Sequence, residues 1–174
     1  LLLYVFFMRM FFKHRNSPSR LPHGLATVIH ELMPVTYKRI GISIDFSKND
    51  SDCIRHAIMQ GGKEAVYTLI HVVETAGARY YGTEVMDHET QSDSDNLDKY
   101  TEALTKLGYK ANSRIGFGNP PRAIVKVVQD EKIDFLVMGS HGHKVLKDLI
   151  YGTTVDSVRH KVNIPVLVVK PQLR

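Results

Sequence analysis

Glycine and hydroxyl residues near the C-terminus are spaced like a loop that holds an anion. Gly139 and Gly142 follow an apolar run, and Gly152 with Thr153 comes after nine further residues. The apolar run is typical of a buried parallel strand, and the Gly-Thr pair stands where a helix is expected to begin. Free N–H groups at a helix start, beside glycines that expose the backbone, favour phosphate.

Other residues that can do chemistry are fewer. Asp45 closes the first apolar strand, where it either bonds a ligand or caps the following helix; the residues alone leave both open. His141 and His143 lie two apart in the glycine loop, but a metal site needs a third ligand, so surface or phosphate-contacting imidazoles are favoured over zinc. The acidic run Asp87, Glu89, Asp93 and Asp95 is interpreted as a solvated loop rather than a metal cage. No nucleophile–base pair stands out, so no catalytic residue is predicted.

The elements that must position these residues alternate along the chain. Apolar runs predict strands at 39–45, 65–73, 109–115, 133–138 and 165–169, with helical spacing at about 53–61, 97–107, 123–128 and 153–161. Residues 74–90 are interpreted as an irregular loop, and 116–121 as a turn that leads into a helix with proline near its first turn.

This alternation predicts an α/β fold, a three-layer sandwich with a five-stranded parallel sheet between helices. Right-handed crossovers with one reversal give the strand order 3-2-1-4-5. Ligands in such sheets bind at the carboxyl ends of the strands beside the reversal. Asp45 and Gly139 end the two strands that flank it, so both are expected at one crevice.

Composition indicates one globular domain behind a basic, apolar arm. Apolar residues make up 43% and charged residues 24% of 174 residues, and the net charge is +5. Residues 1–36 contribute 4 − 1 = +3 of that charge and the remainder 19 − 17 = +2, so the body is not interpreted as a nucleic-acid binder. A single cysteine allows no disulfide framework.

The N-terminal segment is apolar from Leu1 to Phe12 apart from Arg9, and basic residues follow it. A signal peptide and an amphipathic anchor are alternatives, but we favour the end of a transmembrane helix that begins outside this sequence, with a cytoplasmic exit. The predicted organisation is therefore a membrane-helix end (1–12), a basic, proline-containing linker (13–36) and a nucleotide-binding domain (37–171).

The pattern Gly-x2-Gly-x9-Gly-(Ser/Thr) resembles the nucleotide loop of the universal stress protein family, in its ATP-binding branch. The chain matches it without a gap, and the segment Asn163–Val169 is similar to the family's last strand. The resemblance covers roughly 38–170 and implies an adenine nucleotide alpha hydrolase-like fold, related to the Rossmann fold.

The resemblance also implies which residues contact the nucleoside. Asp45 would bond the ribose or adenine, and Val72 would offer backbone groups to the adenine edge. Met138 would pack on the base or sugar, while Gly116 and Gly118 would let the chain pass close to the nucleoside.

The phosphates would be held by backbone N–H groups and by side chains at the helix start. His143 stands where members of the family often carry Arg or Lys, which suggests pH-dependent phosphate binding. The implied phosphate-binding residues are Gly139, Gly142, His143, Gly152, Thr153 and Thr154.

The resemblance implies ATP, or ADP or AMP, bound with Mg²⁺ or Mn²⁺ and at most slowly hydrolysed. It also implies a homodimer paired through the last strand, Pro165–Val169, whose apolar edge would otherwise be exposed. Domains of this family occur fused behind bacterial membrane transporters, including Nramp-type manganese and iron transporters and amino-acid permeases. We therefore expect a regulatory domain tethered to the cytoplasmic face of the cell membrane. The alternative is a free-standing universal stress protein that acts in the stress response as a nucleotide-dependent dimeric switch.

Overall fold

A computed structural model describes residues 33–74, 88–140 and 153–171 of the chain. The chain divides into two compact units, Leu1–Pro34 and Val35–Arg174, and the fold below is that of the second unit. The predicted membrane-helix end and most of the linker lie outside the described residues. Within the three described ranges, no helix is both long and apolar enough to cross a membrane.

Strands and helices alternate through the described residues, as the sequence predicts. They are β1 (Arg39–Ser43), α1 (Asp50–Gly61), β2 (Val66–Val73), α2 (His88–Lys106), β3 (Lys110–Phe117), α3 (Pro120–Asp130), β4 (Phe135–Gly139), α4 (Thr153–Arg159) and β5 (Val166–Val169).

The five strands form one sheet in the order β3-β2-β1-β4-β5, which confirms the predicted topology. All four neighbouring pairs are parallel. Ile42 of β1 lies opposite Leu69 of β2 on one side and Val137 of β4 on the other. The winding direction therefore reverses between β1 and β4, where parallel sheets of this kind leave a crevice.

The core has two halves, one on each face of the sheet. Ile42 and Val137 pack with residues of α1 and α2, while Leu136 and Met138 pack with residues of α3 and α4. Successive side chains of β4 thus enter opposite halves of the core, which is why its whole sequence is apolar. Fully burying one such side chain stabilises the fold by about 1.5–3 kcal/mol.

Helix α2 begins well before the segment predicted from the sequence. The prediction of an irregular loop over 88–90 is wrong, because the helix starts at His88. Thr90, Leu97 and Leu104 are buried at seven-residue spacing, which marks one stripe of this helix. The first buried residue of that stripe is a threonine and not an apolar residue. Apolar periodicity in the sequence therefore indicates the helix only from Leu97 onward.

Helix α3 begins as the proline signal predicts. The Asn119 side chain accepts a hydrogen bond from the Arg122 N–H at 3.3 Å, and Pro120 and Pro121 fill the first two helical positions. Proline suits these positions because their N–H groups have no partner within a helix. The preceding strand, however, runs through Gly116 to Phe117, two residues beyond its predicted end.

Candidate functional site

The carboxyl edge of the sheet collects the ends of β1, β4 and β5. Asp45 lies just beyond β1, and Gly139 ends β4 opposite Val169 of β5. The Ser140 N–H donates to the Val169 carbonyl at 2.8 Å, so the chain leaving β4 stays attached to the end of β5. Asp45 and Gly139 therefore lie at the same edge, beside the reversal, as the topology argument predicts.

The turn after β1 is tight and sets the position of Asp45. The Ile44 N–H donates to Ile70 of β2 at 2.8 Å, so the backbone keeps sheet pairing up to that residue. Phe46 then adopts a left-handed conformation with a φ of 59°, which is uncommon for a residue with a side chain. Its ring lies 4.5 Å, centroid to centroid, from that of His71, and this packing stabilises the turn.

Asp45 does not cap helix α1. One of its carboxylate oxygens, Oδ1, accepts from the Ser47 N–H at 3.2 Å, before the helix begins. The other oxygen, Oδ2, is buried and has no hydrogen-bond partner among the described residues. A buried acceptor without a partner is unusual in a folded protein and marks a position that a ligand or water can occupy.

Asp50, the first residue of α1, faces Asp45. Its Oδ1 accepts from the Asp45 N–H at 3.4 Å. Asp50 is 2% exposed. Burial, followed by the Asp45 carboxyl, raises the pKa of Asp50 from 3.8 to about 7. A carboxyl group in this setting stays protonated at pH values where an exposed aspartate is charged.

Asn49 ties this turn to the far edge of the sheet. It occupies the N-cap position of α1, but its side chain makes no capping bond. Instead, its Nδ2 donates to the Val169 carbonyl at 3.1 Å. Its Oδ1 is buried without a partner in the described structure, as is Oδ2 of Asp50. Three neighbouring side chains thus leave oxygen acceptors unpaired at this edge.

The His71 side chain anchors the other flank of the turn. Its Nδ1 lies 2.9 Å from the Ile44 carbonyl oxygen, and its Nε2 lies 3.2 Å from Oδ2 of Asp93 on α2. The assignment of Asp93 to a solvated loop is therefore wrong, because it belongs to a helix and bonds a buried histidine. Among the described residues, no group of three or more His, Cys, Asp or Glu side chains is arranged to hold a metal ion.

Val72, Gly116 and Gly118 lie on the adjoining strand ends. Val72 pairs in register with Gly116. A Cβ on Gly116 would lie 2.8 Å from the Cβ of Ala123, so this glycine allows α3 to approach the sheet. Gly118 has a φ of +91° and its N–H donates to the Val73 carbonyl at 3.0 Å. The backbone conformation of Gly118 and the close packing at Gly116 therefore each favour glycine without any contact with a nucleoside. Gly116 lies in a strand rather than in the predicted turn.

The remaining predicted residues divide between described and undescribed parts of the chain. Met138 is 3% exposed and packs against residues of α3 and α4. Thr154 lies half-buried in the first turn of α4. Gly142, His143, Gly152 and the side chain of Thr153 lie outside the described residues, so the phosphate half of the predicted site stays a prediction.

Asn49 and Asp50 were missed by the sequence reasoning. Residues 47–52 contain Ser, Asn and Asp before an apolar-periodic segment, and the usual role of such residues is helix capping. The available signal was the placement of a second carboxylate at the helix start, five residues after Asp45. Only the fold shows that this carboxylate points back to the strand end and is buried there.

A doubly wound parallel sheet with a polar crevice at its reversal is the architecture of nucleotide-binding α/β proteins. The sequence profile of the universal stress protein family matches residues 36–170. The chain therefore belongs to the universal stress protein family.

Its relatives span archaea and bacteria. It is 29% identical over 158 residues to universal stress protein MJ0577 of Methanocaldococcus jannaschii, covering 79% of this chain and 98% of that protein. The solved structure of MJ0577 superposes with a TM-score of 0.70 at 30% identity, over 80% of this chain and all of the other.

Two further solved structures share the fold at 18% identity. The universal stress protein of Archaeoglobus fulgidus in complex with dAMP has a TM-score of 0.59, over 76% of this chain and 97% of that one. A universal stress protein in complex with cAMP has a TM-score of 0.56, over 76% and 96%.

Proposed function

We propose that this domain binds an adenine nucleotide, ATP or alternatively ADP or AMP, in the crevice beside β1 and β4. The observation that carries the proposal is the buried Oδ2 of Asp45, an acceptor at the reversal of the sheet that has no partner in the described parts of the chain. A ribose hydroxyl or an adenine amino group is the donor it lacks. The complexes of related proteins with dAMP and cAMP support an adenine nucleotide as the guest.

The phosphates are proposed to lie toward the Gly139–Thr154 segment. Gly139 ends β4 at the same edge as Asp45, and α4 begins at Thr153. The glycine spacing between them suits backbone N–H groups that surround phosphate oxygens. Mg²⁺ or Mn²⁺ would arrive with the nucleotide and neutralise its phosphates, since nucleotide-bound magnesium usually keeps few protein ligands.

The proposed chemistry is binding rather than turnover. Phosphoryl transfer needs a positioned nucleophile and groups that stabilise charge on the γ-phosphate. The polar side chains described at this edge, Asp45, Asn49 and Asp50, supply hydrogen-bond acceptors near the proposed nucleoside end instead. We expect ATP hydrolysis to be slow at most.

The proposed role is regulatory. If a nucleotide binds one conformation of the domain more tightly than another, binding shifts the equilibrium toward that conformation. A partner that also prefers one of the two conformations is coupled to the nucleotide by the same free energy. The apolar segment at 1–12 and the basic residues after it support a tether to the cytoplasmic side of a membrane transporter, for example one for manganese or iron.

A free-standing universal stress protein is the second candidate. The observation that favours it is the match to MJ0577, in which this fold makes up 98% of the relative's length. Membrane fractionation of cells that express the native gene separates the two, because a transporter domain sediments with the membrane and resists a carbonate wash.

The test of nucleotide binding is a thermal shift of the full chain, in mild detergent because of its apolar N-terminal residues. At MgATP a hundredfold above the dissociation constant, binding adds about 2.7 kcal/mol to the stability of the fold. That corresponds to a rise in melting temperature of roughly 5–10 °C for a domain of this size. We expect Gly142→Val, which blocks close approach of phosphate, to remove the rise. Magnesium chloride alone and MgGTP serve as controls, and no shift at millimolar ATP in a folded, nucleotide-free chain would contradict the proposal.

A further inference from the structure

The carboxyl groups of Asp45 and Asp50 lie close together where the chain passes from β1 to α1. Asp50 Oδ1 accepts from the Asp45 N–H at 3.4 Å, and Oδ2 of each residue is buried with no partner among the described residues. Asp50 is 2% exposed and Asp45 is half-buried. Two adjacent carboxylates in such a place repel each other, which favours the protonated form of the buried Asp50.

The other titratable groups around the pair do not relieve this repulsion. On α1, the burial of Cys53 and the charges of Asp50, Asp45 and Asp52 all raise the pKa of its thiol. On α2, burial and then Asp50 and Asp45 raise the pKa of Tyr100. These shifts show the same negative field acting on neighbouring elements.

The nearby basic side chains in the described residues are bonded to other groups or exposed to solvent. Arg55 forms an ion pair with Asp52. His71, the titratable side chain of β2 that packs on this turn, is bonded to the Ile44 carbonyl and to Asp93. Lys48, in the same turn, is exposed.

We propose that Asp50 is a positioning residue for the nucleoside: its protonated carboxyl donates a hydrogen bond to Asp45 and leaves the Oδ2 of Asp45 turned toward the ligand as an acceptor. This role rests on the proposed nucleotide-binding function, because Asp50 would act on the residue that holds the nucleoside. Asp50 touches Asp45 rather than the ligand.

The proposal predicts a direction for the effect of pH on affinity. While Asp50 holds the proton, Asp45 can accept from a ribose hydroxyl or adenine amino group. When Asp50 loses the proton, it can no longer donate to Asp45, and repulsion between the two carboxylates turns Asp45 away from the position in which it accepts from the ligand. The affinity for the nucleotide therefore falls as the pH rises through about 7, the pKa of Asp50.

The same proton affects stability without any ligand. The pKa of Asp50 is 3.8 when exposed and about 7 in the fold. Between these values the folded chain holds a proton that the unfolded chain has lost, so stability falls as the pH rises through this window and levels off above it. An asparagine at position 50 cannot titrate, so the stability of the Asp50→Asn variant lacks this pH dependence.

The test compares the full wild-type chain with Asp50→Asn and Asp52→Asn. Asp52 lies two residues further along α1 and shares no bond with Asp45, so its variant is the matched control. Two quantities are measured from pH 5.5 to 8.5: the dissociation constant for MgATP by calorimetry, and the melting temperature without nucleotide. Phosphate and loop histidine titrations are common to all three chains and cancel in the comparison. Asp50→Ser, a smaller side chain that also cannot titrate, replaces Asp50→Asn if that variant does not fold.

We expect the wild-type dissociation constant to rise on the order of tenfold between pH 6 and pH 8.5 relative to Asp50→Asn, because only the protonated fraction binds well. The ligand-free melting temperature of the wild type should fall relative to Asp50→Asn by roughly 3–6 °C over the same range. Asp52→Asn should follow the wild type in both measurements.

Parallel affinity profiles for the wild type and Asp50→Asn would overturn the positioning role, even if both bind ATP. If no chain binds ATP at any pH, the proposed function fails and the positioning role fails with it. The ligand-free melting profile then still decides whether the two carboxyl groups share a proton. Parallel melting profiles would show that they do not.

Discussion

The side-chain amide of Asn49 donates a hydrogen bond of 3.1 Å to the main-chain carbonyl of Val169, a residue 120 positions later in the chain. The same carbonyl accepts from the Ser140 N–H at 2.8 Å. One oxygen atom therefore joins the start of α1, the chain leaving β4 and the end of β5. These are the segments that border the proposed nucleotide crevice, so the bond defines the shape of the site as well as the fold.

Replacing Asn49 by alanine should destabilise the fold moderately. Val169 keeps its bond from Ser140, so no acceptor is left unpaired, and the loss is that of one buried hydrogen bond, about 1–2 kcal/mol. The midpoint of urea unfolding measures it. Lys48→Ala, an exposed side chain in the same turn, serves as the control. An unchanged midpoint for Asn49→Ala would mean that the bond to Val169 is not made in solution.

Gly116 should tolerate alanine only if α3 can make room. The added Cβ would lie 2.8 Å from that of Ala123, an overlap that costs about 1–3 kcal/mol. The compensating change Ala123→Gly removes the opposing methyl group. We expect the two changes to couple, so that the double variant is more stable than the sum of the single effects predicts.

This pair of variants also separates two roles for Gly116. If the glycine serves only helix packing, Ala123→Gly restores ATP binding together with stability. If it lets the chain pass close to the nucleoside, as the family resemblance implies, stability recovers and ATP affinity does not. Thermal melting with and without MgATP distinguishes these results.

The single cysteine should be inert in the folded chain. Cys53 is 1% exposed, and burial and three nearby aspartates raise the pKa of its thiol to about 12. Because the thiolate is the reactive form, a disulfide reagent at pH 8 should label the folded chain at least roughly a hundredfold more slowly than the denatured chain. Labelling at the denatured rate in native buffer would contradict the described packing of α1.

The edge of β5 away from β4, which no described strand pairs, should carry the proposed dimer contact. Pro165 and Val169 direct their carbonyls toward β4, where they accept from Leu136 and Ser140. Alternate residues of a strand point the other way, so the Val168 N–H faces the open edge. Val168→Pro removes that donor and leaves the bonds to β4 in place.

We expect the wild type to sediment as a dimer, Val168→Pro as a monomer, and Val168→Thr, which keeps the N–H, as a dimer. Sedimentation equilibrium at several concentrations measures this. A wild-type monomer at high micromolar concentration, or a dimer that survives Val168→Pro, would exclude strand pairing through β5.

Local patterns predicted much of this fold because its elements are locally consistent. The apolar run before Gly139 identified β4, and alternation with helices gave the strand order that the sheet adopts. Local patterns failed where the deciding contact is distant. The bond from Asn49 to Val169 and the burial of Asp50 depend on segments far apart in sequence, and the start of α2 has a buried threonine in place of an apolar residue.

Local sequence patterns are also insufficient to distinguish the roles of Gly116 and Gly118. Gly118 has a left-handed φ that the sequence indicates through its turn-like neighbours. Gly116 looks the same in sequence, yet it is a strand residue whose missing side chain makes room for Ala123. A glycine that permits a turn and a glycine that permits close packing cannot be distinguished until the neighbouring element is in place.

The proposed role of Asp45 is to hold the nucleoside of a bound adenine nucleotide. Calorimetric titration of MgATP into the nucleotide-free chain measures this role, with wild type, Asp45→Ala and the control Asp52→Ala side by side at pH 6. We predict one ATP per chain, the same affinity for Asp52→Ala, and a loss of about ten- to a hundredfold for Asp45→Ala, the value of a hydrogen bond to a charged acceptor. Equal affinities for wild type and Asp45→Ala, or no binding at millimolar ATP by a folded wild-type chain, would contradict the account.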